Sequence, residues 1–273
     1  MGTVVDQAQH AARRVRPWIE WMARIGYAAK GVVYGLVGLY AGLSAVGWNN
    51  STKGPITALR TMSDEWYGPV ALIALAIGLA GYALWCVVKA TFDAERDGLF
   101  MRVIAGCEAL FYFSLVAAVV AMMTGDVSEI GDDRQADDWT ARLLAWPGGK
   151  WAAIVVGIGI AGFGCYEIYA AWATDLDRRL DLKAAGPLTA WCIRHISRFG
   201  IGAWGVVFFL IGVFLVIAGW HHNPEEAKSL PDALNDLKDQ RHGPLLLGAI
   251  GVGLICYSIY DFSLARYRKI KPV

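Results

Sequence analysis

Five ionisable side chains lie inside stretches otherwise built from apolar residues: Lys30, Lys89, Glu108, Glu167 and Asp261. A charge at the centre of a transmembrane helix costs about 2.5–3.5 kcal/mol on insertion scales, so such a residue is expected to have a partner or a function. Ammonium and carboxylate groups in that setting can carry protons, hold an ion, or neutralise one another. One reading is a proton- or ion-linked site built from Lys30 and Glu108, with Glu167 and Asp261 as further members. The other is a structural Lys30–Glu108 pair that fixes helix register, with Lys89 and Asp261 snorkelling to a nearby interface. Glu167 is the hardest of the five to explain by structure alone.

Other chemistry finds little support. His221, His222 and His242 flank one connection beside Glu225 and Glu226, but their spacing matches no established metal-ligand pattern. The cysteines at 86, 107, 165, 192 and 256 form no C-x-x-C pair and read as small packing residues. Gly200-x-Gly202-x2-Gly205 has the letters of a dinucleotide loop, yet it follows no strand and opens an apolar helix. No catalytic residue, metal, cofactor or nucleic-acid contact is therefore expected, and the chain does not read as an enzyme.

The elements that must position these charges are membrane helices. The 273 residues are 56% apolar and 18% charged, with 31 Gly and 12 Trp, against roughly 45–50% apolar and 25% charged in a soluble domain. A bilayer core of about 30 Å asks for about 20 apolar residues at 1.5 Å of rise each. Six stretches meet that length: Ile25–Gly47, Pro69–Phe92, Val103–Thr124, Lys150–Thr174, Phe199–Trp220 and Pro244–Ala265. Before them, residues 1–24 carry Arg13, Arg14 and Arg16 among Val15, Trp18, Ile19 and Met22, the pattern of an amphipathic helix on a membrane surface. Fifteen Lys and Arg lie on the side holding both chain ends and eight on the other, which places both termini in the cytoplasm. The connections on the far side are acidic, with six carboxylates in Asp126–Asp138 and five in Glu225–Asp239.

The chain also repeats. Odd spans begin Arg24-x-Gly26-x4-Gly31-x2-Tyr34, Arg102-x9-Tyr112 and Arg198-x-Gly200-x4-Gly205-x2-Phe208. Even spans read Gly68-Pro69-x8-Gly78-x2-Gly81-Tyr82-x2-Trp85, Gly149-x9-Gly159-x2-Gly162-Phe163-x2-Tyr166 and Gly243-Pro244-x8-Gly253-x2-Cys256-Tyr257-x2-Tyr260. Short apolar patterns at Ala58-Leu59, Leu143-Leu144 and Ala233-Leu234 predict small helices over the outer face. Each unit crosses twice, so the copies are parallel and related by an approximate three-fold axis along the membrane normal. Lys30, Glu108 and Trp204 then share one depth, and Cys86, Glu167 and Asp261 another. Recurring aromatics (Tyr34, Tyr82, Trp85, Tyr112, Tyr166, Tyr257 and Tyr260) either line a cavity at that axis or simply pack. The glycines at 31, 35, 38 and 42, and at 157, 159, 162 and 164, predict close helix contacts.

Residues 24–34, Ala58-Leu59-Arg60 and Gly78–Trp85, with their degraded copies, resemble a bacterial six-helix membrane family known only as a domain of unknown function, number 1206. The resemblance spans residues 20 to 268 and implies a fold and a bacterial inner-membrane location; it brings no activity and no site residues. In the second copy Ile104 and Ala109 stand where the first has Gly26 and Gly31. The expected fold is thus an all-α integral membrane protein of three parallel two-helix repeats, 25–98, 99–192 and 193–265, followed by a basic tail at 266–273. The function to expect first is a non-catalytic accessory, scaffold or assembly partner of a larger bacterial membrane complex such as a respiratory one, which includes self-association; the alternative is a small-solute or ion carrier or channel with its site near the axis. The lipid bilayer is a partner in either case.

Overall fold

In a computed structural model the chain is described at residues 2–48, 52–63, 65–92, 98–124, 140–173, 176, 180–182, 185–223, 226–238 and 242–268, except for the side chains of residues 2–19, Phe92 and Phe100. The expected acidic stretch 126–138, the side-chain pattern of the N-terminal basic segment and the tail beyond Arg268 lie outside the described residues.

Among the described residues these helices follow one another: α1 (Gly2–Ala45), α2 (Pro55–Ser63), α3 (Gly68–Phe92), α4 (Gly98–Thr124), α5 (Gly149–Ala173), α6 (Pro187–His221), α7 (Leu230–Lys238) and α8 (Gly243–Tyr267), with a further helical stretch at 140–144 ahead of α5. Six of them (α1 from Glu20, α3, α4 from Met101, α5, α6 and α8) are long and apolar enough to cross a bilayer. They coincide with the six stretches expected, and the chain is a multi-pass membrane protein. Helix α6 starts twelve residues before the apolar stretch, because Pro187 is preorganised for a first helical turn and nothing after it breaks the helix. Helix α1 likewise runs back without interruption to Gly2.

The spans form a ring in the order α1, α3, α4, then α5, α6, α8 and back to α1, with each neighbour packed on the next except α4 and α5. Glycine dictates this. Between repeats, a Cβ on Gly38 would come within 2.8 Å of the Gly251 carbonyl, one on Gly157 within 2.9 Å of the Gly212 carbonyl, and one on Gly164 within 2.6 Å of the Gly205 carbonyl. The α1–α8 and α5–α6 backbones therefore touch, gaining dispersion contacts where lipid offers no hydrophobic drive. Within repeats the odd-span glycines meet the even-span aromatics: Gly26 against Tyr82 at 2.7 Å, and Gly200 against the Tyr257 backbone. The second repeat has Ile104 at that position and Cys107 where the others have Ala29 and Ala203. With no glycine notch there, α4 and α5 do not pack on one another, and among the described residues nothing lies within 4 Å of where a Cβ on Gly159 or Gly162 would be. For those two glycines the expected close contact is not made.

The short helices do more than lie over one face. Leu59 of α2 and Leu234 of α7 are almost wholly buried, and Ile56 and Ala58 go in with them. Thr52 Oγ1 donates to the Pro231 carbonyl at 2.8 Å, tying α2 to α7. Each short segment ends against the first glycine of the next span: the last carbonyls at Met62–Ser63, Leu143 and Leu237–Lys238 leave no room for a Cβ on Gly68, Gly149 or Gly243. The repeated glycine at the head of every even span thus has one steric cause. At the other end Leu176, Leu180 and Leu182 enter the core, and Leu180 bridges to Arg268.

Candidate functional site

The core between α1, α3, α4 and α8 is aromatic. Tyr34 meets Trp204 edge-on at 4.4 Å and Tyr257 at 5.5 Å, Tyr82 meets Tyr27 at 5.1 Å and Tyr112 at 4.7 Å, and Trp204 stacks on Tyr257 at 5.1 Å. Each such pair adds about 0.5–1.5 kcal/mol beyond its area. The Lys30 ammonium stands 5.8, 5.2 and 5.0 Å from the ring centres of Tyr34, Tyr82 and Tyr257, a desolvated cation surrounded by π faces. With Lys30 only 5% exposed, these rings and its hydrogen bonds replace the water it gave up.

Lys30 Nζ donates to Tyr257 Oη at 2.9 Å and lies 3.5 Å from Tyr82 Oη. Its carboxylate partner is Asp261, at 3.7 Å. Asp261 is wholly buried, and among the described residues neither of its oxygens accepts a close hydrogen bond. From Lys30 the polar chain continues outward. Tyr82 Oη donates to Glu108 Oε1 at 3.4 Å, Cys86 Sγ approaches Glu108 Oε2 at 3.6 Å, and Lys89 Nζ pairs with Glu108 Oε2 at 3.1 Å. Beside it, Tyr112 donates to Tyr34 Oη at 3.1 Å. Lys30 is ten residues from Glu20 and fifteen from Ala45, about 15 Å and 22 Å at 1.5 Å per residue, near the middle of the span. Lys89 lies close to its helix end and is partly accessible. A run of ionisable groups thus leads from the bundle's interior toward the side holding both chain ends.

These pairings correct two expectations. Lys30 is matched with Asp261, not Glu108, although Glu108 reaches the same network through Tyr82. Equivalent positions in parallel repeats share a depth but turn toward different seams: α1 faces α8, and α4 faces α3. Each odd-span residue therefore meets the even-span position of the neighbouring repeat, Lys30 with Asp261 and Glu108 with Cys86. Nor does Asp261 snorkel, since it is sealed inside, and Lys89 turns to Glu108. The signal for Lys89 was present: Cys86 fills the acid position in the first repeat, leaving Glu108 to find a cation one turn further along α3.

The remaining candidates divide. Trp204, the third equivalent of Lys30, joins the aromatic core. Tyr260 is buried at its edge, and Trp85 is buried with the Arg268 guanidinium 5.8 Å from its ring centre. Tyr166 is 37% exposed on the surface of α5 rather than buried among the other rings. Glu167 is half-buried on the same helix. His221 Nδ1 lies 2.6 Å from Glu226, and among the described residues no three His, Cys, Asp or Glu side chains converge. Sequence reasoning also missed Arg268, which hydrogen-bonds Tyr27 and covers its ring at 4.7 Å, and Ser258, whose hydroxyl donates to the Gly31 carbonyl at 2.6 Å.

A family model described as Domain of Unknown Function (DUF1206) matches residues 25–93, 105–174 and 199–268, one copy per repeat. The chain is 30% identical over 262 residues to the uncharacterized protein YxxB of Bacillus subtilis (strain 168), a match covering 94% of each. No solved structure matches it.

Proposed function

The chain belongs to the DUF1206 family, whose name carries no activity, and from the site geometry we propose that it is a non-catalytic, proton-linked carrier of a small solute or ion in the bacterial inner membrane, with both ends cytoplasmic. The observation that carries this reading is Asp261: a carboxylate with no exposure, 3.7 Å from Lys30, whose oxygens accept no close hydrogen bond among the described residues. A buried pair so placed adds little net stability over apolar side chains of the same size, because desolvating both charges offsets their attraction. Asp261 is instead ready to receive a proton or cation. The Lys30–Tyr82–Glu108–Lys89 run supplies a route from the terminal side. Burial of α2 and α7 side chains at the far end, and of Leu176, Leu180 and Leu182 at the near end, matches an occluded carrier between exposures to the two sides.

The test is proton movement in proteoliposomes holding a trapped pH-sensitive dye and facing an imposed pH gradient. The wild-type chain is expected to collapse the gradient faster than protein-free vesicles, and Asp261→Asn and Lys30→Met to abolish the difference while remaining folded. Equal rates with and without protein would discard the carrier. A second reading, an accessory or self-associating membrane module, rests on the open α4–α5 edge, where Gly159 and Gly162 lack a helix partner. Fixed-ratio copurification of other subunits would favour it.

A further inference from the structure

The three repeats place an arginine at the same point, the head of the odd span: Arg24, Arg102 and Arg198. Two do the same work. Arg24 Nη1 donates to the Arg266 carbonyl at 3.0 Å, and Arg102 donates to the carbonyls of Ala90 at 2.8 Å and Thr91 at 3.2 Å. Arg266 and Thr91 are themselves repeat-equivalent, so each arginine satisfies the last carbonyls of the even span packed beside it, which no intrahelical donor reaches. By the same register Arg198 would cap α5 at Trp172. It does not: among the described residues the Arg198 guanidinium has no hydrogen bond or ion pair, and its Nε is buried without a partner.

What Arg198 borders instead is a groove of about 470 Å³ on the outer surface of the ring, where α6 is recessed between α5 and α8. Its walls include Trp172, Phe199, Gly202, Val206, Leu210 and Leu246, all apolar, and Arg198 is the one charge on the lining. Phe199, Val206 and Leu246 are exposed, so the groove opens toward lipid. From Arg198 to Leu210 it follows α6 for twelve residues, about 18 Å, close to the roughly 15 Å of hydrocarbon in one leaflet. Gly202 has only the Ala171 methyl, at 4.0 Å, near where its own Cβ would be, leaving the floor open.

We propose that this groove is a binding site for an anionic phospholipid, one acyl chain lying along α6 and the headgroup phosphate accepting hydrogen bonds from Arg198. A guanidinium whose Nε is buried without an acceptor is costly, and a phosphate offers bidentate, charge-assisted bonds in a geometry the fork matches. Arg198 also sits at the depth of the headgroups, on the side carrying the excess of Lys and Arg. This assignment is independent of the carrier reading, since the Lys30 network lies inside the ring and the groove outside it.

Native mass spectrometry of the full chain, released from nanodiscs of equal parts phosphatidylglycerol and phosphatidylcholine, reads the bound lipid directly. The wild type is expected to retain one phosphatidylglycerol in at least five-fold excess over phosphatidylcholine. Arg198→Gln should remove that preference, Gly202→Leu should remove the lipid by filling the floor, and Arg102→Gln, which loses only a helix cap, should keep it. Thermal unfolding of each variant in detergent identifies those that remain folded, and only these are compared. Equal retention by wild type and folded Arg198→Gln, or full displacement by glycerol phosphate without acyl chains, would overturn the proposal, the latter by making the ligand a soluble phosphate.

Discussion

The α1–α8 and α5–α6 seams are the same inter-repeat contact, with glycine backbones in touch at the equivalent pairs Gly38–Gly251 and Gly212–Gly157. Yet the first holds the Lys30 ammonium against Asp261 at its centre, while its counterpart has the Trp204 indole and the half-buried Glu167 at the equivalent positions. Close packing of the helices therefore does not require a lysine at that point. Two seams built alike, one with a buried lysine and one with a tryptophan in its place, separate what holds the ring together from what the ring contains.

The sharpest way to break the comparison is to unbalance the charged seam. Asp261→Ala leaves Lys30 buried without its counter-charge and is expected to cost about 3–5 kcal/mol, read as a large drop in the unfolding midpoint in detergent. Replacing both, Lys30→Met with Asp261→Leu, should restore most of that stability while proton movement stays lost. A double variant as unstable as Asp261→Ala would mean the pair is structural after all. The α5–α6 seam is expected to fail sterically: Gly164→Ala puts a methyl against the Gly205 carbonyl and should cost about 1–3 kcal/mol, with no change in any charge.

Smaller effects sharpen the boundary. Tyr112→Phe removes the hydrogen bond to Tyr34 and should cost about 1 kcal/mol, with flux reduced less than by any change at Asp261. Gly159→Ala, on the open edge, should change stability by less than about 0.5 kcal/mol, measured by the same unfolding assay. A large loss there would show that a partner or second copy covers the edge.

Much of this was legible beforehand because membrane helices leave strong marks. Twenty-residue apolar stretches, repeated glycines and the Gly-Pro heads of even spans need no knowledge of neighbours. The gap between α4 and α5 was not foreseen: Ile104 in place of Gly26 is visible in the chain, yet Gly159 and Gly162 read as close helix contacts. The site was only half legible. Lys30, Glu108 and Asp261 stood out as intramembrane charges, but Lys89 passed for an interface residue, and Tyr166 passed for a lining residue because its repeat partners are buried.

The sequence by itself determined six spans, three repeats and which residues are costly to place in lipid, since hydropathy and spacing are properties of one chain segment at a time. Only the tertiary structure decided which charge meets which. Three-fold equivalence assigns depth along the membrane normal, whereas pairing depends on rotation about each helix axis and on the order of helices around the ring. That order puts α8 beside α1, joining Lys30 to Asp261 across 231 residues of sequence. Nor did the repeat register settle Arg198, which lies beside the end of α5 and does not cap it as its two equivalents cap theirs.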